Sequence, residues 1–208
     1  MTHESEFDAR AATWDSDPAK VDRARRVAEA IVGEIPDLAG RAVLDYGAGT
    51  GLLGFHLLPR VASVTFADVS EGMLEVVREK IGRGGAGGAR AIRLDLARDP
   101  APAERFGLLC TLMTMHHVPD VDGMLAAFRG VLAPEGLLCV SDLDAEDGSF
   151  HGAGFTGHRG FDRADLAARM LRAGFADVRF STPCEVRKDV GGAERVYPLF
   201  LAVARRAP

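Results

Sequence analysis

Cysteine is scarce in this chain. Three occur in 208 residues, Cys110, Cys139 and Cys184, far apart and with no C-x-x-C pair, which excludes a zinc ribbon or a dithiol redox motif. Cys110 and Cys139 fall inside apolar runs and are expected as buried, reduced thiols. Aromatic residues are also few, at 7% with a single tryptophan, Trp14. No apolar run approaches the roughly 18 residues of a membrane span, and the opening Met1–Asp8 is polar and acidic, the reverse of a signal peptide. The expectation is a cytoplasmic protein that meets no membrane. Positive charge is short as well, with Lys plus Arg at 25 against Asp plus Glu at 30, a formal net charge of −5. The densest basic stretch, Lys20 to Arg26, is interrupted by Val21, Asp22 and Ala24 and reads as a solvated helix face. No nucleic-acid partner is expected from such a balance.

What is present is an ordinary globular composition, 47% hydrophobic and 26% charged, in a length that suits one well-cored domain spanning 1–208. Short apolar runs alternate with segments of helical period, the pattern of a parallel sheet covered by helices. Asp17-Pro18 opens a helix whose apolar face is Val21, Ala24, Val27, Ala28, Ile31 and Ile35, ended by Pro36. Strands are expected at 42–45, 63–67, 91–95, 107–112, 137–141, 178–181 and 196–203. Helices are expected over 52–58, from Met73 to Ile81, from Pro119-Asp120 through Leu132, and from Asp162 to Ala173. Gly82–Gly88 is expected as a flexible loop and Pro134-Glu135-Gly136 as a turn. Residues 144–160, polar and glycine-rich, are expected as a functional loop.

The sharpest signal is Val43-Leu44-Asp45-Tyr46-Gly47-Ala48-Gly49-Thr50-Gly51. Alternate glycines straight after a buried strand allow a tight turn and let the backbone lie against a ligand, beside the unpaired N–H groups of a helix start. Gly49-Thr-Gly51-Leu-Leu-Gly54 is a literal G-x-G-x-x-G, so a dinucleotide-dependent oxidoreductase must be weighed. In that fingerprint the first glycine follows the strand directly, which points to Gly47, and the third would then fall on Leu52. Asp45 also places negative charge where a pyrophosphate would sit. The turn suits a ligand without phosphates.

These residues resemble motif I, D/E-x-G-x-G-x-G, of the class I S-adenosylmethionine-dependent methyltransferases. The resemblance runs from about Trp14 to the C-terminus, with the motifs in order. Phe66-Ala-Asp68-Val69-Ser70 is similar to the family's acidic second-strand end, and Leu94-Asp95-Leu96 to its adenine-contacting segment. Cys110-Thr111-Leu-Met-Thr-Met-His-His117-Val and Leu132-Ala-Pro134-Glu-Gly136 resemble the fourth-strand segment and pre-fifth-strand turn of the small-molecule branch, which includes the ubiquinone and menaquinone biosynthesis enzymes. The resemblance implies a doubly wound, mostly parallel seven-stranded sheet with an N-terminal helical cap, residues 1–36 serving as arm and part of a lid. It implies S-adenosylmethionine as cofactor and a small-molecule methyl acceptor.

The implied cofactor site comprises Asp45, Gly47, Ala48, Gly49, Thr50, Gly51, Asp68, Val69, Met73, Asp95, Leu96, Thr111 and Trp14. Within it, Asp68 would accept the ribose hydroxyls, Asp95 the adenine amino group, Met73 and Leu96 would sandwich the ring, and Asp45, near the sulfonium and amino-acid end, would hold the turn and favour positive charge. Trp14 is either part of the lid or an anchor for the arm. On the acceptor side, His116 and His117 follow the fourth strand, and His117 is the candidate general base, with a loop-packing role as the other reading. His151 and His158, with Asp142 and Asp144, form either a polar acceptor pocket or a weak metal site; their spacing matches no known ligand pattern, so no metal is expected. A module that binds the cofactor without turnover remains the other alternative to an enzyme.

Overall fold

A computed structural model describes residues 3–85, 87–152 and 154–208. Among these, seven strands form one sheet in the order β3-β2-β1-β4-β5-β7-β6. The strands are β1 (Ala42–Tyr46), β2 (Ser63–Asp68), β3 (Ala89–Arg93), β4 (Phe106–Leu112), β5 (Leu132–Leu143), β6 (Phe175–Val190) and β7 (Ala193–Arg206). The first five pair in parallel, and β7 runs antiparallel to both neighbours. The order reverses between β1 and β4, and at such a switch point a crevice opens beyond the carboxyl ends of the strands.

Sequence periodicity explains the helices. α2 (Pro18–Glu34) buries Ala24, Val27, Ala28 and Ile31, and Asp17 caps it by accepting from the Ala19 N–H. α4 (Glu71–Gly84) is capped by Ser70, and α5 (Val121–Val131) by Asp120. α6 (Arg163–Arg172) is capped by Asp162, which accepts from the Asp165 N–H. α3 (Leu52–Leu57) leaves the glycine turn directly. α5 and α6 cover one face of the sheet, where Phe128, Leu125, Leu166 and Met170 pack with Leu44, Leu109 and Val140. α2 and α3 cover the other, with Val27, Ile31, Leu53 and Leu57 against Val43, Val64 and Leu108. All three cysteines are buried and unpaired by disulfide.

Several expected boundaries move. The third strand is Ala89–Arg93, so Asp95 lies beyond it; the Leu94 N–H bonds back to the Asp68 carbonyl and the chain turns there. α4 continues to Gly84, ended by Gly85 in the left-handed region, so Gly82–Gly84 are helical rather than loop. Pro134-Glu135-Gly136 is an excursion inside β5: Phe106 pairs with Leu132 and Leu108 with Leu137, and Glu135 takes φ of 60°. The last two strands are far longer than expected, a ribbon closed by Gly191-Gly192 with Val190 opposite Ala193. The N-terminal arm also holds unforeseen helix, α1 (His3–Arg10) followed by a 3-10 segment, Ala11–Ser16.

Phe128 is fully buried and meets Tyr46 edge-on, with ring centroids 5.2 Å apart. Phe128→Ala is expected to lower unfolding free energy by about 3–5 kcal/mol, read as a lower urea midpoint with unchanged slope.

Candidate active site

The glycine turn is braced from below and from the side by two carboxylates. Asp45 is buried under α3, where Oδ2 accepts the Gly54 N–H at 2.9 Å and Oδ1 faces Cys110 Sγ at 3.8 Å. Burial pushes its carboxyl up to about 7, against the pull of the Gly54 amide. The sequence reading had this acid hold the turn, near the sulfonium and amino-acid end of a cofactor; in the structure it braces the turn from within the helix–sheet layer. Gly54 has no room for a side chain: a Cβ would stand 2.4 Å from Phe66 Cε1 and 2.8 Å from Asp45 Oδ2. It therefore permits the close helix–strand approach that the third glycine gives a dinucleotide fingerprint, and that part of the motif does not separate the two readings.

Asp68 stands at the end of β2. Its Oδ2 accepts the Gly49 N–H at 2.7 Å and its Oδ1 the Ser70 N–H at 2.9 Å. Burial raises this carboxyl above its ordinary value, opposed by the amides of Ser70, Gly49 and Val69. The Gly47 and Ala48 amides both bond the Ala67 carbonyl. Gly47 adopts φ of 67° with Thr114 packed on it, and a Cβ there would lie 2.4 Å from Thr114 Cγ2. Met73 is buried on the inner side of the turn, its Sδ 4.0 Å from the Cβ position of Gly49.

In the segment after β3, the Leu96 N–H donates to the Tyr46 hydroxyl at 3.1 Å, and burial pushes that phenol up to about 12. Asp95 Oδ1 accepts from its own turn, at the Ala97 N–H. Tyr46 thus sets the position of Asp95 and Leu96, a role not foreseen because Tyr46 is the variable residue of the motif.

The N-terminal arm reaches these elements through carboxylates that were not singled out in the sequence. Asp8 Oδ1 accepts from Ser70 Oγ at 2.5 Å and from the Gly72 N–H at 3.0 Å. Asp15 accepts from Thr50 Oγ1 at 2.5 Å and pairs with Lys80 Nζ at 2.5 Å; Lys80 also donates to the Thr50 carbonyl. Trp14, singled out in the sequence, is half-buried between the cations of Arg10 and Lys20, 5.0 and 4.4 Å from its ring centre, with Phe7 on its edge. Thr111 is buried within β4, and its hydroxyl has no hydrogen-bond partner.

Beyond β4 the chain turns through Met113, held at φ of 55°, into the 3-10 segment Met115–His117. His116 is buried, with Nδ1 2.6 Å from Asp142 Oδ1 and its own N–H donating to Asp142 Oδ2. His117, the candidate base, lies under Phe7 of the arm, 5.7 Å between ring centres, and 4.1 Å from the His116 ring. His151 joins them at 4.9 Å from His116. His158 stands apart, its Nε2 on the Val118 carbonyl, and Asp144 is paired with Arg163.

Residues 43–136 match the family model described as a methyltransferase domain. The match covers a little under half of the chain. This segment holds the glycine turn, Asp68, Asp95 and the His116-His117 pair. The chain is 31% identical over 122 residues to an uncharacterised methyltransferase of Schizosaccharomyces pombe, covering 55% of this chain and 43% of that protein. It is 33% identical over 121 residues to a ubiquinone biosynthesis O-methyltransferase of Marinobacter nauticus, covering 57% and 51%. The chain spans about half the length of the curated relatives it matches. A crystal structure of a putative methyltransferase from Bacillus halodurans superposes with a TM-score of 0.71 at 19% identity, over 86% of this chain and 98% of that one, which establishes the shared fold. Lys80, a cation that reaches the turn, is paired with Asp15.

Asp45 offers a direct check on this description. Between an unfolded-state pKa of about 3.9 and a folded value near 7, the unfolded chain ionises this group and the folded one does not. Its contribution to stability is therefore complete below pH 4 and is lost as pH rises towards 7, by roughly 1.4 kcal/mol per unit. Asp45→Asn has no proton to lose. Urea unfolding at several pH values is expected to show wild type losing stability relative to this variant from pH 4 to 7, with no further change above.

Proposed function

We propose that the chain binds S-adenosylmethionine at the carboxyl edge of β1, β2 and β4 and transfers its methyl group to a small-molecule acceptor. The observation that carries this reading is Asp68, a carboxylate at the end of β2 with one oxygen oriented by the Gly49 amide of the glycine turn and the other by the Ser70 amide at the start of α4. Each oxygen keeps a second lone pair, which suits a vicinal diol. When bound, the cofactor supplies an electrophilic methyl on a positive sulfur.

The chain's own residues then position the two reactants, and holding donor and acceptor in line is worth on the order of 7–11 kcal/mol of barrier. Backbone of Gly47, Ala48, Gly49, Thr50 and Gly51 lies against the cofactor's amino-acid end, with Asp45 holding that turn from beneath. Val69 and Met73 flank the ribose side, and Asp95 with Leu96 takes the adenine. Thr111, with its buried unpartnered hydroxyl, supplies a polar contact at the end of β4. The arm over residues 1–36 acts as a lid with Trp14 as its anchor, latched by Asp8 on Ser70 and by Asp15 on Thr50 and Lys80. His117, beside that arm, faces the acceptor and takes its proton where the nucleophile is a phenol or enol, a class in keeping with the name of the Marinobacter relative.

Titration calorimetry with S-adenosylmethionine and its demethylated product tests the cofactor. Asp68→Ala removes hydrogen bonds to a charged group, worth about 1.5–3 kcal/mol, and is expected to weaken binding roughly 10- to 100-fold. Heat on addition of NAD or NADP, with none for the adenosyl compounds, would overturn the reading.

A further inference from the structure

The three imidazoles at the carboxyl ends of β4 and β5 form a group of a different kind from the cofactor half. One ring nitrogen from each of His116, His117 and His151 lies within 4.8 Å of the others. They come from two separate segments, the 3-10 turn after β4 and the loop after β5. Asp142 fixes the first of them: a carboxylate 2.6 Å from Nδ1 accepts the proton there and leaves Nε2 as the lone-pair nitrogen. This is the carboxylate–histidine arrangement that orients and strengthens an imidazole ligand. His151 stacks on Phe155, centroids 3.8 Å apart, and its buried Nδ1 has no hydrogen-bond partner. A buried ring nitrogen left unsatisfied calls for an explanation. Phe150 and Phe155 wall the group with apolar rings.

We propose that His116, His117 and His151 bind one divalent transition-metal ion of the zinc, cobalt or nickel class, oriented by Asp142. Three nitrogen donors without a carboxylate in the set select such ions over magnesium or calcium. Three protein ligands also leave a coordination position open, as in catalytic rather than structural zinc sites. Nitrogens at about 2.0–2.1 Å from a tetrahedral ion stand roughly 3.4 Å apart, so binding draws the rings together by side-chain rotation. The site itself is independent of the methyl-transfer reading. Its use rests on that reading: the open position would take the acceptor's oxygen as its anion, with the proton leaving to water and His117 serving as ligand instead of base.

The test is metal binding alone, on metal-stripped full-length protein without any cofactor. Zinc titration is expected to give one saturable equivalent at micromolar affinity or tighter, and cobalt the visible bands of a four-coordinate nitrogen site. His151→Ala and His117→Ala, checked for native circular dichroism, are each expected to weaken zinc at least 100-fold. His151→Gln serves if the alanine variant misfolds. Asp142→Asn, which acts through His116, is expected to cost about 10- to 100-fold. Unchanged affinity in the folded His117 and His151 variants, or no saturation with zinc, would overturn the proposal. Asp68→Ala protein should still bind the metal, so failure of the cofactor reading and failure of this one are separable.

Discussion

The site depends on one buried contact, the carboxylate of Asp45 accepting the amide of Gly54. It joins the last turn of β1 to the first turn of α3 across a layer too thin for any side chain at Gly54. An acid so deep costs desolvation, and its raised pKa measures that cost. In return the turn between strand and helix is fixed: the Gly47 and Ala48 amides bond the Ala67 carbonyl and the Gly51 amide the Ala48 carbonyl. The Gly49 amide recruits Asp68 from the neighbouring strand. A brace inside the sheet layer thereby sets the shape of the crevice outside it.

Two halves with different physics meet at the switch point between β1 and β4. The half built on β1, β2 and β3 is a surface of backbone amides and carboxylates, closed over by acidic residues of the arm. The half built on β4 and β5 is a pocket of imidazoles and phenylalanines around Asp142. The first suits a ligand recognised by its hydroxyl and amino groups. The second suits whatever must be polarised or deprotonated. Thr114 stands between them, packed on Gly47 and two residues from His116.

Much of this was legible in the residues. The glycine spacing, the acids at successive strand ends and the apolar face of α5 are local patterns, and the structure places strand, turn and helix where they imply. What was not legible depends on contacts between distant segments. Asp8 meets Ser70 across 62 residues and Asp15 meets Thr50 across 35; each looks like a solvated acid in its own neighbourhood. His116, in the 3-10 turn after β4, and Asp142, on β5, are 26 apart, and nothing in the run of either segment pairs them. Asp45 was placed at its strand end as a holder of the turn, but its partner, the Gly54 amide nine residues on, was not foreseen because alternation does not say where a buried carboxyl finds its donor. The last two strands were shortened because their outer halves are polar, and pairing with each other replaces burial there.

That outer ribbon reaches past the end of β5. The pairing of β7 with β5 stops at Leu199 opposite Leu143, whereas β6 and β7 continue together to Val190 and Ala193. Beyond the sheet it grips the loop that carries His151: Tyr197 meets Ser149, and Lys188 donates to the Phe150 carbonyl. Because successive residues of a strand face opposite ways, lengthening one arm of the hairpin by a single residue would turn Tyr197 or Lys188 outward and release that loop, while the crevice at β1 and β2 kept its shape. Hairpin length is thus a dial that sets the posture of the loop carrying His151 without touching the glycine turn.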